Sequence, residues 1–150
     1  MSDFFLSLIP DDSRYIPPVE AQVQALAELR ARLPPPSQVE AQVFDEVTFV
    51  DQGSNFEKVL CPTCEEDITE HWAGLMEAAS ETEFSDLSLS MPCCGRLTNL
   101  NALGYVPPAG FARFSLRAMN PNIGGLLAAK DVSVLEGKLG CKLRQVYARY

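Results

Sequence analysis

The chain has 150 residues, the usual size of one domain, and a formal net charge of −8 at pH 7. Hydrophobic residues make up 47% of it and charged residues 21%, a globular composition that excludes the disordered and fibrous classes. The excess of acidic residues argues against a general binder of nucleic acid or of anionic membranes.

The first half of the sequence predicts a strand, a helix and then a β-hairpin. After a short apolar opening, a helix is expected from Pro18 to the proline run that begins at Pro34, with a periodic apolar face. Alternating residues 43–50 predict a strand, and the turn residues 51–55 should fold it back onto residues 56–60. The residues at helical spacing on the expected apolar face are Val19, Val23, Leu26, Arg30 and Leu33.

A second helix is expected directly after Cys64, because three acidic residues follow there and an apolar stripe comes after them. Residues 87–91 and 96–103 predict two paired strands, and residues 104–110 have the composition of a loop. The members of the apolar stripe are Ile68, Trp72, Leu75, Met76 and Ala79.

The last third of the sequence predicts a strand, a helix and a final strand. Residues 112–118 alternate most regularly, with Arg113, Ser115 and Arg117 on the polar face. Ser133 and Glu136 have the spacing of a capping box, so a third helix is expected there and should end near residue 140, before a strand over 141–150. We therefore expect a single α+β domain over residues 1–150, with a mostly antiparallel sheet and three helices.

Four of the five cysteines form two close pairs, Cys61-Pro62-Thr63-Cys64 and the adjacent Cys93-Cys94. Two short cysteine turns separated by a helix-length segment predict four thiolates around one tetrahedral zinc ion. The pattern resembles a zinc ribbon or a related cysteine-knuckle site over about residues 58–96. The resemblance implies a closed structural zinc held by Cys61, Cys64, Cys93 and Cys94, acting as a clasp between two hairpins. The pattern lacks a regular second Cys-x-x-Cys motif, because Met91 stands where the first cysteine of that motif would lie.

Two other interpretations of these cysteines remain open. His71, the only histidine, is an alternative fourth ligand in place of Cys93. The order of strand, Cys61-Pro62-Thr63-Cys64 and helix is also similar to that of thioredoxin-like and glutaredoxin-like proteins, which would imply a thiol–disulfide oxidoreductase. The acidic residues after Cys64 count against it, because they disfavour a thiolate.

Charge is distributed unevenly along the chain. Residues 1–90 contain 18 acidic and four basic residues, whereas residues 91–150 contain eight basic and two acidic residues. We expect the two halves to neutralise each other partly when they pack together. The alternative is a basic surface that binds an anion, a nucleic acid or an acidic partner, and its residues would be Arg113, Arg117, Lys142 and Arg144.

Apart from the cysteine pairs, the sequence has no arrangement of residues typical of catalysis: it has one histidine, no nucleophile elbow and no glycine-rich phosphate loop. We also find no apolar run near the roughly 18 residues that cross a bilayer, and we expect a cytoplasmic protein with reduced thiols. The resulting hypothesis is a zinc-stabilised, non-catalytic binding module that engages a protein partner, as an adaptor or as a neutralising partner of a basic protein.

Overall fold

A computed structural model describes residues 2–150, which form three α-helices and eight strands. In chain order the elements are β1 (Phe4–Pro10), α1 (Val19–Ala31), β2 (Gln38–Val50), β3 (Lys58–Leu60), α2 (Thr69–Ser80), β4 (Ser88–Ser90), β5 (Leu97–Asn99), a 3-10 turn (Leu100–Ala102), β6 (Gly104–Val106), β7 (Gly110–Met119), α3 (Ala129–Leu139) and β8 (Leu143–Arg149). The α+β class, the three helices and the mostly antiparallel pairing are as predicted.

The four long strands form one antiparallel sheet in the order β2-β7-β1-β8. Strands β1 and β2 are joined through α1 and have β7 between them, and β7 and β8 are joined through α3 and have β1 between them. This is the split βαβ arrangement, in which each strand-helix-strand unit receives a strand of the other unit. We call these four strands, α1 and α3 the frame.

The main core of the frame lies between one face of the sheet and the two helices. Leu6 and Leu8 of β1 and Phe114 and Leu116 of β7 are fully buried there, as is Leu29 of α1. Burial of each such side chain stabilises the fold by about 1.5–3 kcal/mol. The alternation of residues 112–118 therefore predicted the buried face of β7 correctly.

The predicted buried face of α1 was right only in part: Leu26 packs against the frame core and Leu33, just beyond the helix, is buried in it, whereas the first two predicted positions are exposed. The predicted start of the helix was right. Val19 and Val23 are 73% and 63% exposed, and the helix instead buries Ala25 and Leu29. Apolar residues occur all around this helix, so periodicity alone does not select one face. The contacts that the helix makes with the sheet and with α3 select it.

Residues 51–109 form an insertion between β2 and β7, and they build most of a second hydrophobic cluster against the sheet. Phe111 of β7 belongs to this cluster, and Phe49 of β2 packs against it. The ring of Phe49 is tilted against those of Trp72 and Tyr105, with centroid distances of 5.6 Å to each. The predicted stripe of α2 faces this cluster, as expected. The insertion is thereby fixed to the frame through aromatic packing.

The expected hairpin between residues 43–50 and 56–60 was wrong. Strand β3 pairs with β6, with Lys58 opposite Val106 and Leu60 opposite Gly104, so residues 104–106 are a strand rather than a loop. The chain does turn after β2, since the N–H of Asn55 donates to the carbonyl of Gln52 at 3.1 Å. The N–H of Ser54 donates to the carbonyl of Arg149, however, so this turn lies against β8 and does not lead β3 back onto β2. The predicted pairing of β4 with β5 is confirmed.

Two helix starts differ from the predictions. Helix α2 begins at Thr69 rather than directly after Cys64, and α3 begins at Ala129, before the expected capping box. Gly140 ends α3 with φ at 74°, a left-handed conformation that glycine adopts without strain. The carboxylate of Glu136 accepts the N–H of Leu143 at 2.9 Å instead of capping the helix. Within residues 2–150, no helix has the length and apolar character needed to cross a membrane.

Candidate metal centre

The two cysteine pairs lie in two turns that share one backbone hydrogen-bond pattern. In the first turn, residues 61–66, the N–H of Cys61 donates to the carbonyl of Glu66 at 2.9 Å. In the second turn, residues 91–96, the N–H of Met91 donates to the carbonyl of Arg96, also at 2.9 Å. The two turns are therefore equivalent position by position.

The fifth residue of each turn has a positive φ, 63° at Glu65 and 72° at Gly95, and its N–H donates to the carbonyl of the first residue at 3.1 Å and 2.9 Å. Only glycine adopts this conformation without steric cost, so the second turn is the less strained of the two. Proline occupies the second position in both turns, as Pro62 and Pro92.

This equivalence explains the irregular spacing of the cysteines. Cys61 and Met91 occupy the first position of their turns, and both are buried, with 1% and 2% exposure. The second turn therefore places its thiols at the third and fourth positions, where the first turn has Thr63 and Cys64. Met91 stands where the sequence pattern would have placed a cysteine, and its side chain packs in the second hydrophobic cluster instead.

The sulfur atoms of Cys61, Cys64, Cys93 and Cys94 all lie within 4.8 Å of one another. The Sγ atoms of Cys61 and Cys94 are 3.8 Å apart, and those of Cys64 and Cys93 are 3.4 Å apart. A tetrahedral zinc with Zn–S bonds near 2.3 Å requires sulfurs about 3.8 Å apart. The four thiols can therefore hold one metal ion, and the donor set suits zinc.

The four sulfurs have unequal surroundings. Cys61 is buried, and its Sγ accepts the backbone N–H groups of Thr63 at 3.4 Å and Cys64 at 3.5 Å. Cys64, Cys93 and Cys94 are exposed. Among residues 2–150, no backbone N–H donates to the sulfurs of these three. Cys61 is thus buried and its sulfur is hydrogen-bonded by the backbone, whereas the other three cysteines are exposed residues without such bonds.

The acidities of the thiols reflect these surroundings. Hydrogen bonds lower the pKa of Cys61 from 9.0 to about 6, because the backbone N–H of Cys64, and to a lesser degree that of Thr63, stabilises the thiolate. Loss of hydration partly opposes this shift. Loss of hydration, together with hydrogen bonding to the thiol of Cys64, raises the pKa of Cys93 to about 12. Without a cation, Cys61 therefore ionises more readily than an ordinary thiol, and Cys93 ionises less readily.

A short segment after the first turn connects this site to α2. The carboxylate of Asp67 accepts the N–H of Thr69 at 2.9 Å and its hydroxyl at 2.6 Å, and these bonds lower the pKa of Asp67. The hydroxyl oxygen of Thr69 in turn accepts the N–H of Val59 at 3.0 Å. Sequence reasoning missed this pair, although an aspartate two residues before a threonine is a common turn signal.

His71 does not belong to the sulfur cluster. It lies in the first turn of α2 with an exposed side chain, and its Nε2 is 3.8 Å from the carboxylate of Glu70. Helix α2 begins five residues after Cys64, so Cys61 and Cys64 do not lie at a helix N-terminus. The structure therefore lacks the helix-end placement on which the oxidoreductase interpretation depended.

The four basic residues considered as an anion site lie apart and contact acceptors within the fold. Arg113, Arg117 and Lys142 line three different surface hollows. The acceptors are the carbonyl of Phe44 for Arg113 at 3.1 Å and the carboxylates of Glu40 for Arg117 at 3.6 Å, Glu136 for Lys142 at 4.0 Å and Asp11 for Arg144 at 3.6 Å.

Comparisons of the chain with protein-family models, with curated proteins and with solved structures gave no match.

Proposed function

We propose that the chain is a zinc-stabilised binding module that engages a basic protein partner through its acidic insertion. The observation that carries the proposal is the convergence of four cysteine sulfurs from two equivalent turns within 4.8 Å. With all four thiolates bound, zinc has no open coordination position, which is typical of structural rather than catalytic zinc.

The zinc would act as a cross-link within the insertion. Cys61 and Cys64 follow β3, and Cys93 and Cys94 lie between β4 and β5, so a shared ion would join two segments that are distant in sequence. Each of these segments is short, with strands of three residues. Strands of that length need an additional constraint to stay paired, and a metal supplies one.

The partner proposal rests on where the charge lies. Residues 51–109 contain ten acidic and two basic residues, whereas the remaining residues contain ten of each. The insertion therefore carries the whole net charge of −8, and the frame is neutral. A surface of one sign attracts a partner of the opposite sign and speeds its association.

The acidic side chains of the insertion are well placed for such contacts. Glu65, Glu66 and Asp67 are exposed beside the first cysteine turn, and Glu70 and Glu77 are exposed on α2. Four thiolates around one divalent cation would add two further negative charges at the same place. The proposal thus identifies the metal-bearing side of the insertion as the surface that meets the partner.

Metal analysis tests the first half of the proposal. The protein should contain one zinc per chain, and a chelator should expose four newly reactive thiols. The Cys141→Ser variant removes the fifth cysteine from the count, because Cys141 lies outside the cluster. Metal-free protein that does not take up zinc when it is supplied would contradict the proposal.

Charge variants test the second half. Proteins captured by the wild-type chain should include a basic partner that is lost with Glu66→Gln/Glu77→Gln but kept with Glu20→Gln/Asp45→Asn, a matched change outside the insertion. Binding of the purified partner should weaken with rising salt. Equal binding of both double variants would refute the acidic insertion as the contact surface.

A further inference from the structure

The exposed thiols of the metal centre suggest a modification site. Cys64 and Cys93 come from different turns, both are exposed, and their Sγ atoms are 3.4 Å apart, the shorter of the two close sulfur contacts. We propose that these two cysteines form a pair that hydroperoxides oxidise to a disulfide, which releases the metal while keeping the two turns joined. The inference rests on the proposed metal centre.

The surroundings of the sulfurs select this pair. The other close contact, between Cys61 and Cys94, includes a residue that is only 1% exposed, Cys61, whose sulfur already accepts two backbone N–H groups. Hydrogen bonds draw electron density from a thiolate, and burial denies a peroxide access to it. Cys64 and Cys93 are both exposed residues, and neither sulfur accepts a backbone N–H. When ionised by a metal, they are the more nucleophilic pair.

The reaction needs only the two thiolates and one hydroperoxide. The sulfur of one cysteine attacks the outer peroxide oxygen, the O–O bond breaks, and an alkoxide or hydroxide leaves as a sulfenic acid forms. The second thiolate then attacks that sulfur, the S–O bond breaks and hydroxide leaves. Two thiolates lose two electrons in total, the peroxide gains them, and the zinc keeps its oxidation state.

Oxidation of this pair would release the metal without separating the two cysteine turns. The metal loses two of its four ligands and dissociates, but the new bond joins the same two turns that the metal had joined. Cys61 and Cys94 remain as a reduced pair. The insertion would therefore lose its ion without losing its cross-link.

Peptide mapping tests the inference in the 150-residue chain that carries the Cys141→Ser change. Trypsin leaves all four cysteines in the peptide 59–96, which has no internal lysine or arginine, and a glutamate-specific protease then separates 59–65 from 84–96. After treatment with one equivalent of hydrogen peroxide, these two fragments should be joined under non-reducing conditions. Metal release, followed with a colorimetric chelator, should rise in proportion to the joined fragments.

Two matched variants identify the bond. The Cys93→Thr variant gives the second turn a threonine at its third position, as the first turn has in Thr63. This variant should abolish the cross-link. Cys94→Ser removes one metal ligand from the same turn and should keep the cross-link. Equal behaviour of the two variants, or a first product with the disulfide inside fragment 59–65, would overturn the assignment.

The outcomes also separate this inference from the proposed metal centre. Joined fragments from a protein that never binds zinc would reject the metal centre and keep the pair. Zinc-loaded protein in which peroxide leaves all four cysteines reduced would keep the metal centre and reject the pair.

Discussion

At the scale of single residues, the site depends on a few positions whose backbone or burial is unusual. Gly95 has a φ of 72° at the fifth position of the second cysteine turn, where the first turn has Glu65 in the same conformation. A Cβ built on Gly95 would meet no atom within 4 Å, so any cost of a side chain there comes from the backbone alone.

Gly95→Ala should lower the free energy of unfolding by about 1 kcal/mol, because alanine resists a left-handed conformation. Gly74→Ala is the matched control. A Cβ at Gly74 would also meet no atom within 4 Å, but Gly74 lies inside helix α2. That change should stabilise the protein by about 0.5–1 kcal/mol. Urea denaturation of both variants measures the difference, and changes of the same sign would contradict the backbone argument.

The lowered pKa of Cys61 predicts a pH dependence in the metal-free protein. Its folded value of about 6 lies below the ordinary 9.0, so the fold favours the thiolate. The stabilisation that this group contributes is therefore complete above pH 9 and is lost as the pH falls through 6. Thiolate ultraviolet absorbance should show a step near pH 6 that Cys61→Ser removes. A step that persists in this variant would assign the ionisation to another cysteine.

Residue-level chemistry was the part of the site that the sequence revealed best. Clustered cysteines have few roles, and their spacing already indicated two turns meeting at one ion. The sequence also identified Met91 as the irregular position. It could not show that Met91 is buried in the hydrophobic cluster or that Cys93 takes the place of Thr63, because both depend on the shared backbone of the two turns.

At the scale of elements, hydrogen bonds along the edges of strand β3 hold the segments around the cysteine site in place. One edge of β3 pairs with β6, and the other is covered by residues 67–69. There, the N–H of Ile68 donates to the carbonyl of Val59, and the hydroxyl of Thr69 accepts the N–H of Val59. Helix α2 and the first cysteine turn are both held against β3 by these bonds.

Thr69→Val should lower the free energy of unfolding by about 1–3 kcal/mol, because it leaves the N–H of Val59 without an acceptor. It also removes the hydroxyl bond to Asp67. Thr82→Val is the control, since the Thr82 hydroxyl donates to a helix-end carbonyl and accepts an exposed N–H that water can satisfy. Thermal unfolding should separate the two variants, and an equal shift in Tm would argue against a stabilising role for the hydrogen bond between Val59 and Thr69.

Strand pairing was the element-level feature that the sequence did not reveal. Residues 56–60 have the composition of a strand that returns onto its predecessor, but their partner, β6, lies more than 40 residues later. Turn chemistry predicts local pairings, whereas this pairing depends on the insertion as a whole. The alternation within β7 was easier, because its two faces differ in polarity along most of the strand.

At the scale of the whole molecule, two separate hydrophobic clusters stabilise two different parts of the chain. The frame has its own core between the sheet and the helices α1 and α3. The insertion depends on the second cluster, which includes Cys61 and Met91 from the two cysteine turns. Stability should therefore differ between these parts when the metal is removed.

Chelation should reduce hydrogen-exchange protection in residues 58–106 by at least tenfold while leaving β1, β7 and β8 protected. The reason is that the frame core contains no cysteine ligand, whereas the insertion loses its cross-link. Exchange measured by mass spectrometry before and after chelation, with zinc added back as the control, provides the test. Uniform loss of protection across the chain would show that the frame also depends on the metal.

The charge division belongs to this scale as well. In sequence, the acidic and basic residues separate near residue 90, and the expected neutralisation between the two halves agrees with the contacts of Arg117 with Glu40 and of Arg144 with Asp11. In three dimensions, the relevant boundary is between a neutral frame and an acidic insertion. Sequence order could not reveal this boundary because the insertion lies in the middle of the chain.

The residues that flank the insertion, Val50 and Gly110, lie opposite each other in the pairing of β2 with β7. The chain therefore leaves the sheet and returns to it at neighbouring points, as it does at the tip of any β-hairpin. In architectural terms, the insertion is a greatly enlarged hairpin loop. Such a loop can be lengthened, shortened or exchanged during evolution without changing the order of the four strands, so the βαββαβ scaffold and the insertion with its cysteine cluster can evolve at separate rates.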